Sequence, residues 1–498
     1  MRSRACICAV WLAAGTQAVL AEAPSTAEPP GSIAGQTAKK SEPARRGVKP
    51  RHSGLDRSPE PAGQPAAASA AVVPETPGAS GNQPAGLRAG TQPLAGGPPA
   101  TAAEAVATFW EPLNSRPRGF QASDGWTYYP MVTGASYFDD NVFATPSNKR
   151  SDWAYIVRPE LAITRSGQNY GIEAHGFVED RQYAKLKSED QVNAAASLGG
   201  TVMVDPNTQF QGRAQYMRAH EERGVGETAQ SSATFDKPVS FDQFDAAVAL
   251  NHRQDRWWNS LGAAATTMHF SNPTIGGMPQ AQSFRNGDIE SFPMRLGYVV
   301  APFTSLFVEG ALNRREFEVS EFDSFGYRIV GGVLAKPGQD QRIRVQAFVG
   351  YMSQDYRGPT FQDVSTWTFG ASMALLVADG LTMTLAGSRE AKETALTCLG
   401  VTVLGCGSSL IETWGAARLD YLLLPNFVVG GGVTYLVDEV VGNPREDRSL
   451  RPLFSARYFA TPWLTFGFDY RNVNYDSSGL GILGYNRNIY LFSAHAKL

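Results

Sequence analysis

After its first twenty positions the sequence lacks any run of about 18 consecutive apolar residues, which excludes a bundle of transmembrane helices. It also lacks an excess of positive charge, because 44 Lys and Arg residues are matched by 47 Asp and Glu residues. No basic stripe interrupts this balance, so a nucleic-acid-binding protein is not indicated. Cysteine is scarce as well, with four in 498 residues. The chain must therefore be classified from what it does contain: 11% aromatic residues, 50 glycines and 31 prolines.

The first 21 residues have the organisation of a signal peptide. Arg2 and Arg4 precede an apolar run that extends to Ala14, and small residues follow at the expected cleavage site. Residues 22–118 are then rich in Pro, Ala, Gly and Ser, with little aromatic or β-branched periodicity, so they cannot bury enough apolar surface to offset the entropy of ordering. We therefore expect an exported protein whose residues 22–118 form a disordered, periplasmic linker ahead of a domain at 119–498.

The C-terminal stretch 486–498 alternates apolar and polar residues, which predicts a long strand with one apolar face. The residues on that face are Tyr490, Phe492, Ala494, Ala496 and Leu498, and those assigned off it are Asn488, Leu491, Ser493, His495 and Lys497. A long strand with an apolar outer face suits the closing strand of a transmembrane β-barrel. A final hydrophobic residue also resembles the C-terminal signal of bacterial outer-membrane barrels, which more commonly ends in Phe.

Tight turns and long polar connections alternate along the rest of the chain. Pro, Gly, Asn and Asp form the tight turns, as at Asp205–Asn207, Asp379–Gly380 and Leu424–Asn426. The segments between them have about ten or more residues, which is longer than the strands of a soluble sandwich and long enough to cross a bilayer at a tilt. The pattern predicts an all-β, antiparallel up-and-down transmembrane barrel of about 16 to 18 strands.

Two phrases carry a resemblance to a known family. Residues 134–146 read Gly-Ala-Ser-Tyr-Phe-Asp-Asp-Asn-Val-Phe-Ala-Thr-Pro, and Asp205-Pro-Asn-Thr208 precedes Arg218-Ala-His-Glu221. From about Trp126 to Leu498 the chain resembles the putative β-barrel porin 2 family of bacterial outer-membrane proteins, some of which are associated with exopolysaccharide export. The resemblance implies a barrel with a transport role, and it supplies no catalytic residues. We accordingly expect contact with outer-membrane lipid, assembly by the barrel-assembly machinery of a Gram-negative cell, and no cofactor.

Charged residues on the predicted inward positions of the strands are the candidate site. They are of mixed sign and are expected to line the lumen: Arg213, Arg295, Glu309, Arg342, Arg344, Arg457, Asp469 and Arg471. Two interpretations remain open. Charges facing water in a pore can set ionic preference, or opposite charges can pair across adjacent strands and only satisfy a polar interior.

Other candidate sites are weaker. His220-Glu221-Glu222 and Asp139-Asp140-Asn141 offer oxygen ligands for a divalent cation, although long acidic loops are usually just solvated. No serine or histidine has a spacing that indicates nucleophilic catalysis, so an enzyme is not expected. Cys398 and Cys406 share one long loop in an oxidising compartment, which predicts a disulfide between them, with two free thiols as the alternative.

Two functions compete at this point. A barrel of about eighteen strands is wide enough for an aqueous channel, so a pore for small polar solutes, or for saccharide or exopolysaccharide export, is favoured. The alternative is a closed structural or surface-interaction barrel whose long loops bind a partner. Tyr137, Phe138 and Phe143 could stack on sugar rings or could instead belong to a girdle at the lipid headgroups. Oligomeric state and the identity of any solute are not encoded in these patterns.

Overall fold

The computed structural model describes residues 119–224, 235–335, 342–359, 361–392, 409–478 and 484–497. Within them lies one antiparallel sheet of nineteen strands, of which eighteen are long and the other is the two-residue strand Phe120–Gln121. The long strands are β1 Thr127–Asp139, β2 Asp152–Ser166, β3 Tyr170–Tyr183, β4 Gln191–Asp205, β5 Thr208–His220, β6 Ser240–Gln254, β7 Trp257–Phe270, β8 Gly287–Ala301, β9 Thr304–Phe317, β10 Ser324–Ala335, β11 Ile343–Tyr356, β12 Val364–Ala378, β13 Leu381–Lys392, β14 Leu410–Leu424, β15 Phe427–Val440, β16 Glu446–Thr461, β17 Leu464–Ser477 and β18 Tyr485–Lys497.

Each long strand pairs with the next in the sequence, and the last pairs with the first. The closing pair runs antiparallel from Met131 opposite Lys497 to Asp139 opposite Ile489. The sheet is therefore a closed up-and-down barrel, and the prediction of 16 to 18 strands is confirmed at its upper value. Closure leaves no long strand with a free edge, which is the condition for placing backbone in hydrocarbon.

Exposure alternates along the strands and identifies their two faces. On β2 the side chains of Trp153, Tyr155 and Val157 are exposed, whereas those of Ala154 and Ile156 are buried. The exposed, apolar rows face outward on every strand, and the opposite rows, which carry most of the charges, face the interior. Lipid covers such an outer surface. The period-two pattern therefore arises because the two sides of the wall meet different environments, which require apolar side chains outside and polar ones inside.

Aromatic side chains cluster on the outer face towards both ends of the barrel. Towards the long loops, the Phe138 and Trp153 ring centroids lie 5.1 Å apart. Towards the short turns, Trp257 and Tyr298 lie 4.8 Å apart. Amphipathic rings at these two levels suit the two headgroup layers of a membrane. The strands have between 12 and 16 residues, so they extend beyond the apolar band.

The two rims differ as the sequence predicts. Six of the short connections consist of two residues, including Pro206–Asn207 and Asp379–Gly380. Gly380 adopts φ +82°, a conformation that residues with a Cβ avoid. The other rim carries the long loops, whose described parts contain three single-turn 3₁₀ helices and the small hairpin Thr274–Ile275 with Met278–Pro279. Among the described residues no helix is long and apolar enough to cross a membrane.

One assignment on the last strand is wrong. Asn488 lies on the outward row with Tyr490, because residues two apart in a strand share a face. At the long-loop end of this row, the Tyr470 hydroxyl donates a 3.0 Å hydrogen bond to Oδ1 of Asn488. The predicted linker 22–118, the final Leu498 and the predicted Cys398–Cys406 bridge lie outside the described residues.

Candidate functional site

The strand register places the predicted site residues on the inner wall. Seven of them lie on inward rows of their strands: Arg213 on β5, Arg295 on β8, Glu309 on β9, Arg344 on β11, Arg457 on β16, and Asp469 and Arg471 on β17. The eighth, Arg342, directly precedes β11, where its Nη2 lies 3.7 Å from Oδ1 of Asp379 in a short turn. Their role in lining a conducting pore stays a prediction.

Glu309 on β9 pairs with one arginine on each of the two adjacent strands. Its carboxylate accepts a 2.7 Å hydrogen bond from Nε of Arg295 on β8 and another of 2.7 Å from Nη2 of Arg328 on β10. Both guanidiniums also lie over aromatic rings, Arg295 at 4.5 Å from the Phe307 centroid and Arg328 at 5.5 Å from that of Phe348. These contacts fix the orientation of both arginines.

Charges are also paired on the inward rows of β14, β16 and β17. Arg457 on β16 donates from Nη2 to both carboxylate oxygens of Asp469 on β17, at 2.7 and 3.0 Å. On β14, Arg418 holds Asp420 through two bonds of 2.8 and 2.7 Å. The Arg457–Asp469 pair fits the cross-strand pairing interpretation, whereas Arg418 and Asp420 pair within one strand.

Arg213 behaves differently from the paired arginines. It lies opposite Ala247 and Gly199 on the inward row of β5, it hydrogen-bonds to Gln215 on the same row, and its side chain is nevertheless exposed. An exposed side chain on the inner face requires space for water beside it. The interior is therefore not completely filled along this wall.

A loop segment after β5 folds over the interior at the long-loop rim. We call residues Glu221–Gly224 the inner segment. Arg223 in it is buried and donates from Nε to Oε2 of Glu189, in the β3–β4 loop, at 2.6 Å. Its guanidinium also lies 4.8 Å from the ring centroid of Phe143, in the β1–β2 loop. Three loops are thereby held together.

The inner segment also reaches the closing strand. Nη1 of Arg487 on β18 donates to the backbone oxygen of Arg223 at 3.1 Å, and the hydroxyl of Tyr485 donates to the backbone oxygen of Gly224. Since β18 is separated from β5 by four strands, the segment lies across part of the opening. The sequence did not indicate this path, because the partners of Arg223 are far away in the chain.

Two of the carboxylates considered as cation ligands, Glu221 and Asp139, have other partners. Glu221 forms a buried ion pair with Arg285 in the β7–β8 loop. Asp139 accepts hydrogen bonds from Nε of Arg487 at 2.8 Å and from the Tyr137 hydroxyl at 2.9 Å. Among the described residues no group of three His, Cys, Asp or Glu side chains could hold a metal ion.

The candidate sugar-stacking aromatics have other contacts. Tyr137 is buried against Tyr183, with ring centroids 6.5 Å apart. Phe138 lies on the outer face between Trp153 and Tyr490. The Phe143 ring has Arg150 and Arg223 each 4.8 Å from its centroid. Phe138 therefore takes the girdle position, and the other two belong to the packing under the loops.

The hairpin at Thr274–Pro279 is held by one carboxylate. Asp236 accepts hydrogen bonds from the backbone nitrogen of Gly277 at 2.9 Å, the Thr274 hydroxyl at 2.7 Å and the backbone nitrogen of Gly276 at 3.0 Å. These donors, Gly277 foremost, favour the ionised form and hold the pKa of Asp236 below its usual value.

Comparison with known proteins gives one family and several distant structures. OpdL of Pseudomonas aeruginosa is 12% identical, with 75% of this chain and 99% of that chain covered and a TM-score of 0.40. The outer membrane protein OpdK of the same organism is 10% identical, with 74% and 99% covered and a TM-score of 0.41. OccAB4 of Acinetobacter baumannii is also 10% identical, with 76% and 99% covered and a TM-score of 0.41.

No curated protein matches the sequence. The family model described as Putative beta-barrel porin 2 matches residues 117–497, which span the whole barrel. The closed eighteen-stranded wall, the apolar outer band and this match agree, and the chain belongs to the Putative beta-barrel porin 2 family of outer-membrane barrels.

Proposed function

We propose that the barrel is an aqueous pore for small polar solutes or saccharide chains in the outer membrane of a Gram-negative bacterium. The observation that carries the proposal is Arg213, an inward residue within the wall whose side chain is exposed. Barrels of 16 to 18 strands are wide enough to leave an aqueous channel, whereas the interior of an eight-stranded barrel is filled by side chains. An arginine that is exposed on the inner face of the barrel is consistent with a water-filled channel.

Small side chains line the same side of the interior. Ala195 and Ser197 on β4, Ala247 on β6 and Ala264 on β7 face inward and are partly exposed. Small residues leave room beside the wall, so a solute would pass along β4–β7, where Arg213 is exposed. The short turns would face the periplasm, with residues 22–118 on that side, and the long loops would face outward.

The inner segment favours small solutes over wide ones. Because Arg223 and Gly224 are tied to β18, they narrow the opening at the long-loop rim. The same contacts are the reason to keep a second candidate, a closed barrel whose loops bind a partner. An exported saccharide chain would have to pass beside the inner segment as a single extended strand.

Reconstitution of the full chain in a planar lipid bilayer tests the proposal. We expect stepwise conductance in KCl, and we expect neutral oligosaccharides added to one side to interrupt the current. Heat-modifiable migration on a semi-denaturing gel verifies that the reconstituted sample is folded. A folded sample that leaves the bilayer tight under all conditions would contradict the pore and favour the interaction barrel.

A further inference from the structure

Uncharged polar side chains dominate the inward rows of β4–β7, which we call the polar wall. All residues of these four strands are described, and apart from Asp205 and Arg253 at the short-turn ends their inward rows carry one basic and one acidic residue, Arg213 and Asp245. Amides and hydroxyls make up the other polar groups, and the partly exposed ones include Ser197, Thr201, Gln209, Gln215, Asn251 and Ser260. The polar wall is therefore without net charge at mid-depth, and a solute can reach it.

The strand register arranges these groups at two heights. Residues opposite one another on adjacent strands form the upper level, nearer the long loops: Ser197, Gln215 and Asp245. A second set forms the lower level, nearer the short turns: Gln209, Asn251 and Ser260. Along β5 the positions of Gln209 and Gln215 are about 20 Å apart, at roughly 3.4 Å per residue. A short oligosaccharide can span this distance.

Between the two levels the polar wall leaves space around one arginine. The residues level with Arg213 on the adjacent strands are small: Gly199, Ala247 and Ala264. The Arg213 side chain is exposed, and its Nη2 donates a hydrogen bond to Oε1 of Gln215, in the upper level. A pyranose ring has C–H groups on its faces and hydroxyls around its edge. The small residues leave room for a face, and the two levels offer partners for the edge.

The carboxylate of the upper level is held in a fixed orientation. Asp245 accepts a 2.7 Å hydrogen bond from Oγ1 of Thr266 and another of 2.7 Å from Nε2 of Gln243. A carboxylate with two such donors retains acceptor capacity, and the guanidinium of Arg213 retains donors beyond the one used on Gln215. Donors and acceptors are thus presented side by side, in positions that the protein has already fixed.

We propose that the polar wall binds uncharged saccharides as they pass through the barrel. This inference rests on the pore proposed above and adds the class of its solute. Each sugar hydroxyl both donates and accepts hydrogen bonds, so it matches a surface that mixes amides, hydroxyls, a guanidinium and a carboxylate. An ion gains no net attraction here, because the charges of Arg213 and Asp245 are opposite. A solute with its own carboxylates would be repelled by Asp245.

Interruption of the current through the reconstituted full chain tests the solute class. Maltotriose and trigalacturonate have the same number of sugar residues, and only the latter carries carboxylates. We expect maltotriose to interrupt the current at lower concentration. Its half-blocking concentration should stay nearly constant between low and high KCl, because salt screens contacts between charges and maltotriose has none.

Substitutions in the polar wall identify the residues that bind. Gln215→Ala should raise the half-blocking concentration of maltotriose about two- to tenfold, as the loss of one hydrogen bond between uncharged groups does. Gln346→Ala is the matched control, because Gln346 is also a partly exposed inward glutamine but lies on β11. Asp245→Asn should narrow the difference between the two saccharides, since it removes the repelling carboxylate. Folding of each variant is verified by its heat-modifiable migration, and Gln209→Ala replaces Gln215→Ala if the latter does not fold.

The outcomes separate the two proposals. A folded protein without conductance overturns the pore and the saccharide site together. A conducting protein that maltotriose does not interrupt, or that trigalacturonate interrupts at the lower concentration, overturns the saccharide site and leaves the pore standing. A control Gln346→Ala that weakens maltotriose as much as Gln215→Ala does would also overturn the site, because the effect would then not come from β4–β7.

Discussion

Asp139 on the first strand accepts a 2.8 Å hydrogen bond from Nε of Arg487 on the last strand. The carboxylate is fully buried and also accepts hydrogen bonds from the Tyr137 hydroxyl and the backbone nitrogen of Asn141, both at 2.9 Å. The two strands that close the barrel are therefore joined by a buried ion pair as well as by their backbone ladder.

Asp139→Asn should destabilise the barrel by about 3–5 kcal/mol, because it leaves the Arg487 guanidinium buried without its counter-charge. The folded and unfolded forms migrate differently on a gel, so the urea midpoint of this difference measures the loss. Asp180→Asn is the matched control, since Asp180 lies on the exposed outward row of β3. An unchanged midpoint for Asp139→Asn would show that the ion pair does not stabilise the closure.

Glu189→Gln should release the inner segment and increase the single-channel conductance. The substitution removes the negative charge that pairs with the Arg223 guanidinium. The side chains of Glu189 and Arg223 are each only 2% exposed. Current steps in a planar bilayer report the change, and a loosened segment should also add noise to the open level. Glu318→Gln, at an exposed position in the β9–β10 loop, should leave the steps unchanged. Equal steps in Glu189→Gln and the unaltered protein would mean that the segment does not narrow the passage.

The Thr274–Pro279 hairpin should lose its order in acid. The pKa of Asp236 is lower in the folded loop than the usual value of about 3.9. Ionised Asp236 therefore stabilises the hairpin fully above that usual value, and the contribution disappears as the pH falls through the lower, folded pKa. Hydrogen exchange of the peptide that contains the hairpin, corrected for intrinsic rates, should accelerate only in this acidic range. Asp236→Asn should exchange fast at every pH, and a pH-dependent response in that variant would contradict the assignment.

Met294→Arg should cost about 2–4 kcal/mol, as a basic residue does on the lipid face near the bilayer midplane. Met294 is the central residue of β8, points outward and is 62% exposed. Ala264→Arg introduces the same group on the inward face of neighbouring β7, where water can solvate it. The two variants are compared by their urea midpoints. A smaller effect for Met294→Arg than for Ala264→Arg would reverse the assignment of the two faces.

Cys398 and Cys406 are predicted to form a disulfide, and they are the two cysteines that follow residue 21. Bridging would remove entropy from the open state of the loop that they share. Mass spectrometry without reduction should find the bridged chain two hydrogen atoms lighter than the reduced chain. Alkylation of both thiols in the unreduced protein would rule the bridge out.

The fold was accessible from the sequence because each side of the wall meets a different solvent. On β18, Phe492 faces outward and its neighbour Leu491 faces inward. The same alternation recurs on every strand, so it predicts both where the strands lie and which side chains face outward. Dipeptide turns such as Asp379–Gly380 then mark where strands end. Period-two reasoning also placed Arg295, Glu309 and Asp469 on the inner rows, since parity alone decides the side.

Contacts between loops were not accessible in this way. Arg223 pairs with Glu189 in another loop. Its backbone oxygen accepts a hydrogen bond from Arg487, which is 264 residues away from Arg223 in the sequence. Neither partner has a periodic relation to Arg223, so no local pattern specifies the path of the inner segment. The only local signal is the dense charged run at Glu221–Arg223, and for His220-Glu221-Glu222 the sequence offered either cation ligands or solvated loop carboxylates. Buried arginines in loops require buried carboxylates, and the choice among carboxylates is made by the tertiary fold.

The pairing of the first strand with the last also limits how the chain can fold. Asp139 and Arg487 are separated by 348 positions, so their contact has a very high sequence separation and forms only when the first and last strands pair. Until then the partly built sheet has two unpaired edges, at β1 and at β18, and such edges pair readily with other chains. A stalled intermediate of this protein would therefore be exposed to edge-to-edge aggregation throughout assembly, and that hazard ends only when the final strand is in place.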